Sequence, residues 1–225
     1  MYTGTGQVVE LKLENGIRQA RITCAANLIP SPGQFVLAGT ASQPDPLPDA
    51  LFSTESVLDG FITCAPIPES WAPGTVITVR GPLGHGFAFP ASSQKVALVA
   101  FDDSPSRLKA LMQISLKQGA AVVLVCDSGE NELPDEVEVQ PLSGLGDVID
   151  WADYTAFDVA RENLSKLKEM VGKTNQATVK GEAQVLIRTP IPCGGIADCG
   201  VCAVFLKSNW GFSCKDGPVF DWGEL

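Results

Sequence analysis

The sequence predicts a multi-domain α+β protein: an antiparallel β-barrel, then an α/β domain, then a small cysteine-bearing domain. Three observations predict this. Gly (22) and Pro (16) are abundant for a chain of 225 residues, which favours short strands and turns over long helices. Polar and apolar residues alternate in the first third, whereas the middle third carries continuous apolar runs. Finally, four of the seven cysteines crowd into the last 33 residues.

The barrel is read from its turn signals. Gln7 to Leu13 and Arg18 to Cys24 alternate in polarity around a hairpin turn at Glu14-Asn15-Gly16. Pro32-Gly33 feeds a strand through Phe35, Val36 and Leu37. Further strands are expected over Leu58 to Cys64 and Gly74 to Val79, with the barrel ending near Phe89. From Lys95 to Phe101 the chain is apolar in the manner of a buried parallel strand. Ser106 to Gln118 places Leu108, Leu111, Met112, Ser115 and Leu116 at helical spacing, and Ala120 to Cys126 is a second buried strand, completing a βαβ unit. A short strand is expected at Val137-Glu138-Val139, a helix over Phe157 to Val171 carrying Leu164, Leu167 and Met170, and a closing strand over Ala183 to Arg188.

Composition excludes several functions. A net charge of −10 repels phosphate backbones and anionic lipid, so neither nucleic acid nor a membrane surface is an expected partner. No segment reaches the roughly 18 consecutive apolar residues of a spanning helix, so no membrane insertion is expected. Met1 to Gly4 leads directly into strand-like sequence, with no basic or apolar leader region, so no secretory signal is expected. An odd number of cysteines favours a reducing, cytoplasmic compartment and metal ligation over a disulfide framework.

The most specific chemical signal is Cys193, five residues, Cys199, two residues, Cys202, then eleven residues to Cys214. Plant-type [2Fe–2S] sites use a tight loop with three thiolates and a distant fourth. Gly194, Gly195 and Gly200 supply the backbone freedom for such wrapping, and inward N–H groups would tune the sulfurs. The first interval is one residue longer than the common spacing. A structural zinc remains an alternative, although only Cys199 and Cys202 have the short spacing of a zinc pair. Cys24, Cys64 and Cys126 read as core residues. The one histidine, His85, reads as a loop residue.

In that order, the barrel, the βαβ unit and the cysteines resemble the electron transfer subunits of dihydroorotate dehydrogenase, within the ferredoxin-reductase-like flavoprotein superfamily. The carrying motifs are Pro32-Gly33-Gln34-Phe35-Val36, Gly81-Pro82-Leu83-Gly84-His85-Gly86-Phe87, the four cysteines, and the Cys214 to Asp221 segment, and the likeness spans nearly the whole chain. The resemblance implies a flavin-type barrel over 1–89, an NAD-binding-like domain over 90–189 and a [2Fe–2S] domain over 190–225. Cys193, Cys199, Cys202 and Cys214 would be the metal ligands. Any FAD would lie near Phe52, Ser53, Thr54 and the loop of Gly81, Pro82, Leu83, Gly84, His85 and Gly86. The implied function is an electron-transfer subunit in a hetero-oligomer with a catalytic dehydrogenase subunit, serving pyrimidine biosynthesis.

The chain departs from that pattern at both organic-cofactor sites. The strand that holds FAD pyrophosphate through an Arg corresponds to Asp49 to Thr54, which has no Arg and is flanked by Asp45, Asp49 and Glu55. The glycine-rich turn after the first parallel strand is replaced by Asp102-Asp103-Ser104-Pro105, where Asp103 or Ser104 reads as a helix N-cap before Pro105. The Cys-Gly-Pro turn beside the nicotinamide corresponds to Phe157-Asp158-Val159, with no thiol. NAD is therefore not expected to bind, and FAD only loosely. The expectation is a divergent member that kept its cluster and its partner-facing end. The alternatives are a structural or regulatory subunit with a zinc or vestigial cluster site, and an intact NADH:acceptor flavoenzyme.

Overall fold

The computed structural model describes residues 1–14, 17–40, 47–64, 67–102, 104–128, 133–173, 179 and 181–225. Six strands, β1 (Tyr2–Glu14), β2 (Ile17–Cys24), β3 (Phe35–Gly39), β4 (Asp49–Val57), β5 (Gly60–Cys64) and β6 (Val76–Leu83), close an antiparallel barrel in the order β1-β2-β5-β4-β3-β6. Alternation puts Val8, Ile22, Val36, Leu51, Phe61, Ile77 and Val79 inside, with Trp71 packed among them. Gly60 marks a tight crossing, since a Cβ there would stand 1.9 Å from the Ile22 carbonyl oxygen. The expected hairpin turn at Asn15 and Gly16, and the residues Asp45 and Asp103, lie outside the described residues.

The second layer is a six-stranded sheet. Its strands β7 (Lys95–Ala100), β8 (Ala121–Val125), β9 (Val137–Gln140), β10 (Tyr154–Ala160) and β11 (Glu182–Arg188) are parallel. Helices α1 (Lys109–Lys117), α2 (Leu145–Trp151) and α3 (Leu164–Gly172) connect them. One face packs on α1 through Leu98, Leu111, Met112 and Tyr154, and the other on α2 and α3 through Val99, Ile149, Phe157 and Leu167. The C-terminal segment forms a hairpin of β12 (Ala203–Phe205) and β13 (Trp210–Phe212), and its last strand, β14 (Val219–Asp221), joins the large sheet antiparallel to β11. The large sheet thus runs β14-β11-β10-β7-β8-β9.

One expected element is corrected. Phe157 does not begin a helix: it lies in β10, a strand buried at every position between β7 and β11. A strand covered on both faces has a continuous apolar run rather than alternation, so its pattern merges with that of the helix behind it. That helix starts at Leu164 and buries Leu164, Leu167 and Val171, leaving Met170 at the surface. Phe157-Asp158-Val159 is accordingly strand, not turn.

Candidate functional site

The four C-terminal cysteines come together as two pairs. After β11 the chain turns through Gly194, Gly195, Ala197 and Gly200, all with positive φ (67°, 74°, 60° and 72°). Cys193 and Cys199 flank this turn. The β12–β13 hairpin then returns Cys214 to Cys202, with the two Sγ atoms 3.2 Å apart and the Ser213 N–H on the Cys202 carbonyl oxygen at 3.0 Å. All four are free thiols; Cys193 is half-buried, Cys199 exposed, and Cys202 and Cys214 buried. Among the described residues, no three His, Cys, Asp or Glu side chains are gathered so as to hold one metal ion.

The two pairs differ electrostatically. The N–H groups of Asp198, Cys199 and Ile196 hold the Cys193 thiol down at about 6. Burial, with Cys202 alongside, pushes Cys214 up to about 12. The buried pair packs on the barrel mouth, against Phe35, Leu37 and Leu83, with Phe52 at the edge of the same cluster. Phe52 and Phe35 stand 5.8 Å apart between ring centroids, so Phe52 helps fill the barrel mouth.

The expected flavin-site residues divide. Thr54 spends its hydroxyl on the Ile62 carbonyl oxygen at 3.2 Å, whereas the buried Ser53 Oγ has no hydrogen-bond partner among the described residues. The Gly81 to Gly86 loop turns to the C-terminal segment. His85 donates its backbone N–H to Gly217 O, its Nδ1 pairs with Asp216 O at 2.9 Å, and Val219 N–H returns to His85 O at 3.4 Å. A Cβ on Gly84 would lie 2.3 Å from Gly217 O, and one on Gly86 2.4 Å from Pro32 O. These glycines allow protein backbone to approach protein backbone. The Pro32 turn, the Gly81 loop and the Cys214 to Asp221 segment, distant in sequence, meet here.

Between barrel and sheet, the 3-10 turn Pro105–Leu108 and α1 pack on β4. Ser104 caps this turn, its Oγ accepting from Ser106 N–H at 3.3 Å. Arg107 Nε donates to Asp158 Oδ2 at 2.8 Å, Arg188 Nε to Asp158 Oδ1 at 2.8 Å, and Arg188 Nη2 pairs with Asp102. Asp102 also accepts from Ala160 N–H at 2.9 Å and Asn163 Nδ2 at 2.8 Å. The charge of Asp102, which stands where the family has its glycine-rich turn, is thus met by a cation. This network covers the carboxyl ends of β7, β10 and β11, where strand order reverses between β7 and β10 and open α/β sheets bind ligands. Beside it, Lys12, Thr54, Glu55, Lys109, Met112 and Gln113 line a cleft of about 470 Å³ between barrel and sheet domain.

No protein-family model and no curated protein sequence matches the chain. Solved structures do. The NADH-dependent reduced ferredoxin-NADP oxidoreductase, described for flavin-based electron bifurcation, superimposes with a TM-score of 0.75 at 16% identity, over 97% of this chain and 88% of that one. The fold is that of the ferredoxin reductases. A ferredoxin-NADP+ reductase from Neisseria gonorrhoeae, with bound FAD and NADP, matches at TM-score 0.58 and 11% identity, over 82% of this chain and 98% of that one. The ferredoxin reductase in carbazole 1,9a-dioxygenase matches at 0.58 and 16%, over 76% of this chain, which spans 64% of its length.

Within this ferredoxin-reductase fold, sequence reasoning missed Arg107, Arg188, Lys12 and Lys109. One signal was available: Asp158 stands alone in an otherwise uncharged strand, and a buried carboxylate requires a cation. The two lysines lie on separate elements, and only the folded chain brings them to one cleft.

Proposed function

We propose that the chain is an iron–sulfur electron-transfer subunit of an oxidoreductase complex, similar to the dihydroorotate dehydrogenase electron transfer subunit, relaying electrons between a flavin or NADH side and a catalytic partner. The observation that carries this reading is the arrangement of four free cysteines, with Cys202 and Cys214 paired in the interior and Cys193 and Cys199 nearer the surface. A [2Fe–2S] rhomb needs two terminal thiolates on each of two irons. Cys193 and Cys199 would hold one iron, Cys202 and Cys214 the other, and the loop N–H groups would stabilise the anionic sulfurs. Such a cluster supplies one-electron transfer when bound. The barrel aromatics Phe35 and Phe52, packed with Cys202 and Cys214, would keep water from those two ligands.

Partner docking is supported by the exposed apolar side chains of Ile196, Val201, Phe205 and Trp210 on the cysteine segment, since exposed apolar surface marks interaction sites. A catalytic dehydrogenase subunit is the proposed occupant of a hetero-oligomer. No helix among the described residues is long and apolar enough to cross a membrane. A cytoplasmic location rests on the seven free thiols, which a reducing compartment preserves.

FAD enters as a second reading, favoured by the cleft beside Thr54. Lys12 and Lys109 line it with Thr54 and place cations where the Arg is absent. One preparation tests both readings. Anaerobically purified protein is expected to contain iron and acid-labile sulfide in equal amounts, with Cys202→Ser losing most of both. Stoichiometric zinc without sulfide would overturn the cluster and favour the structural or regulatory alternative. Chromatography of the denatured supernatant decides the flavin: one FAD per chain supports the cleft, and none removes it.

A further inference from the structure

Cys202 and Cys214 stand at the open end of the β12–β13 hairpin, each on a turn fixed by backbone hydrogen bonds. The Ala203 N–H closes the turn before β12 by donating to the Gly200 carbonyl oxygen at 3.1 Å. After β13, the Phe212 carbonyl oxygen accepts from the N–H groups of Lys215 and Asp216 at 2.9 and 2.7 Å, and Asp216 Oδ2 accepts from the Phe212 N–H at 2.9 Å. The Ser213 N–H ties the second turn to the first through the Cys202 carbonyl oxygen. Backbone outside the two side chains thus holds their Sγ atoms in contact, 3.2 Å apart. Both cysteines are buried, among Phe35, Leu37, Leu83 and Phe212. Two thiols fixed side by side meet each other at a high effective concentration, and a movement of about 1 Å brings sulfurs at this separation to bonding distance.

We propose that Cys202 and Cys214 are a redox-active pair: in the cluster-free chain hydrogen peroxide joins them in a disulfide, and the bond withholds two of the four proposed ligands from iron. Attack of one sulfur on the peroxide breaks the O–O bond, leaves a sulfenic acid on that sulfur and releases one water. The second thiol attacks the sulfenic sulfur, forming the S–S bond and expelling the hydroxyl as a second water. The two thiols lose two electrons and the peroxide gains them. A small dithiol restores both thiols by exchange. The control of iron uptake rests on the iron–sulfur reading; the disulfide itself does not.

The test uses the full chain, freed of metal by a chelator under reductant and then treated with one equivalent of hydrogen peroxide. Lys207 lets trypsin separate Cys202 from Cys214, whereas Cys193, Cys199 and Cys202 stay in one peptide. Non-reducing peptide mass spectrometry is expected to find these two peptides joined, with fragmentation placing the link at Cys202 and Cys214. The double variant Cys193→Ser, Cys199→Ser should keep the link, and Cys202→Ser should lose it. If a variant does not fold, as read by circular dichroism, the fragmentation pattern of the wild type decides. A link through Cys193 or Cys199, or sulfinic acid at Cys202 or Cys214 in place of a link, would overturn the pair. Reconstitution with ferrous iron and sulfide reads the consequence: oxidised wild type should take up less than a tenth of the iron that the reduced chain does, and dithiothreitol should restore it. Equal uptake by the linked and the reduced chain would overturn the control of iron. If the reduced chain takes up no iron, the cluster reading fails, and the mapped link alone decides this proposal.

Discussion

Tyr154 lies fully buried at the start of β10, with its ring 5.2 Å from that of Phe89 and its hydroxyl donating to Gln184 Oε1 at 2.8 Å. Burial, reinforced by the carboxylates of Glu182 and Asp221, pushes its phenol well above the ordinary value of 10. The unfolded chain therefore releases this proton at a lower pH than the folded chain. The contribution to stability is intact below pH 10 and falls as pH rises beyond it. Of the two tyrosines in the chain, Tyr154 should ionise only as the fold opens. Absorbance titration with parallel circular dichroism checks this: its tyrosinate signal should appear with loss of structure, and Tyr154→Phe should remove that component. Ionisation of Tyr154 in a fully folded chain would contradict the assignment.

At the scale of elements, β10 is the strand on which the sheet and the crevice both depend. Asp158 is almost wholly buried, and its two oxygens divide between Arg107 and Arg188. Removing one partner of a buried pair leaves the other charge desolvated, at a cost of about 3–5 kcal/mol. Asp158→Asn should therefore lower the denaturant midpoint strongly and loosen the Pro105–Leu108 turn. By contrast, Arg21→Ala at the exposed Arg21–Asp59 pair, 2.9 Å apart, should cost less than about 1 kcal/mol. Urea unfolding of both variants measures the contrast, and equal losses would show that the network does not carry the seam. Five of the six barrel strands were legible because alternation and turn residues are local signals, while β4 was reached only through the family resemblance. Helix α2 and strands β12 to β14 were not, since three-residue strands have too few positions to show a period, and β14 is defined by pairing with β11.

For the whole molecule, the consequence is a ferredoxin-reductase fold in which ion pairs among Asp102, Arg107, Asp158 and Arg188 stand at the carboxyl ends of β7, β10 and β11. A dinucleotide would have to displace Arg107 from Asp158 and bring a pyrophosphate to an acidic chain of net charge −10. Calorimetric titration with NADH is expected to show no binding in the micromolar range, and micromolar affinity would show that the network opens. Glycine loops that resemble cofactor cradles serve here as backbone crossings, as Gly84 does against Gly217. The chain thus joins barrel, sheet and cysteine segment into one body through Pro32, His85 and Val219.

What the sequence determined by itself is whatever depends on near neighbours: five of the six barrel strands, the βαβ unit, and a cap at Asp103 or Ser104, which the structure gives to Ser104. Their signals lie within a few residues of one another, so periodicity and spacing suffice to read them. Tertiary structure alone decided that Cys202 and Cys214 meet as a buried pair, that Phe52 packs with Phe35 in the barrel mouth, and that Arg107 and Arg188 meet Asp158 at the carboxyl ends of the sheet. Those facts rest on contacts between residues far apart, Arg107 with Asp158 across 51 positions and Asp102 with Arg188 across 86. Such pairs are chosen by how strand order folds the chain back on itself, and no local pattern records that choice.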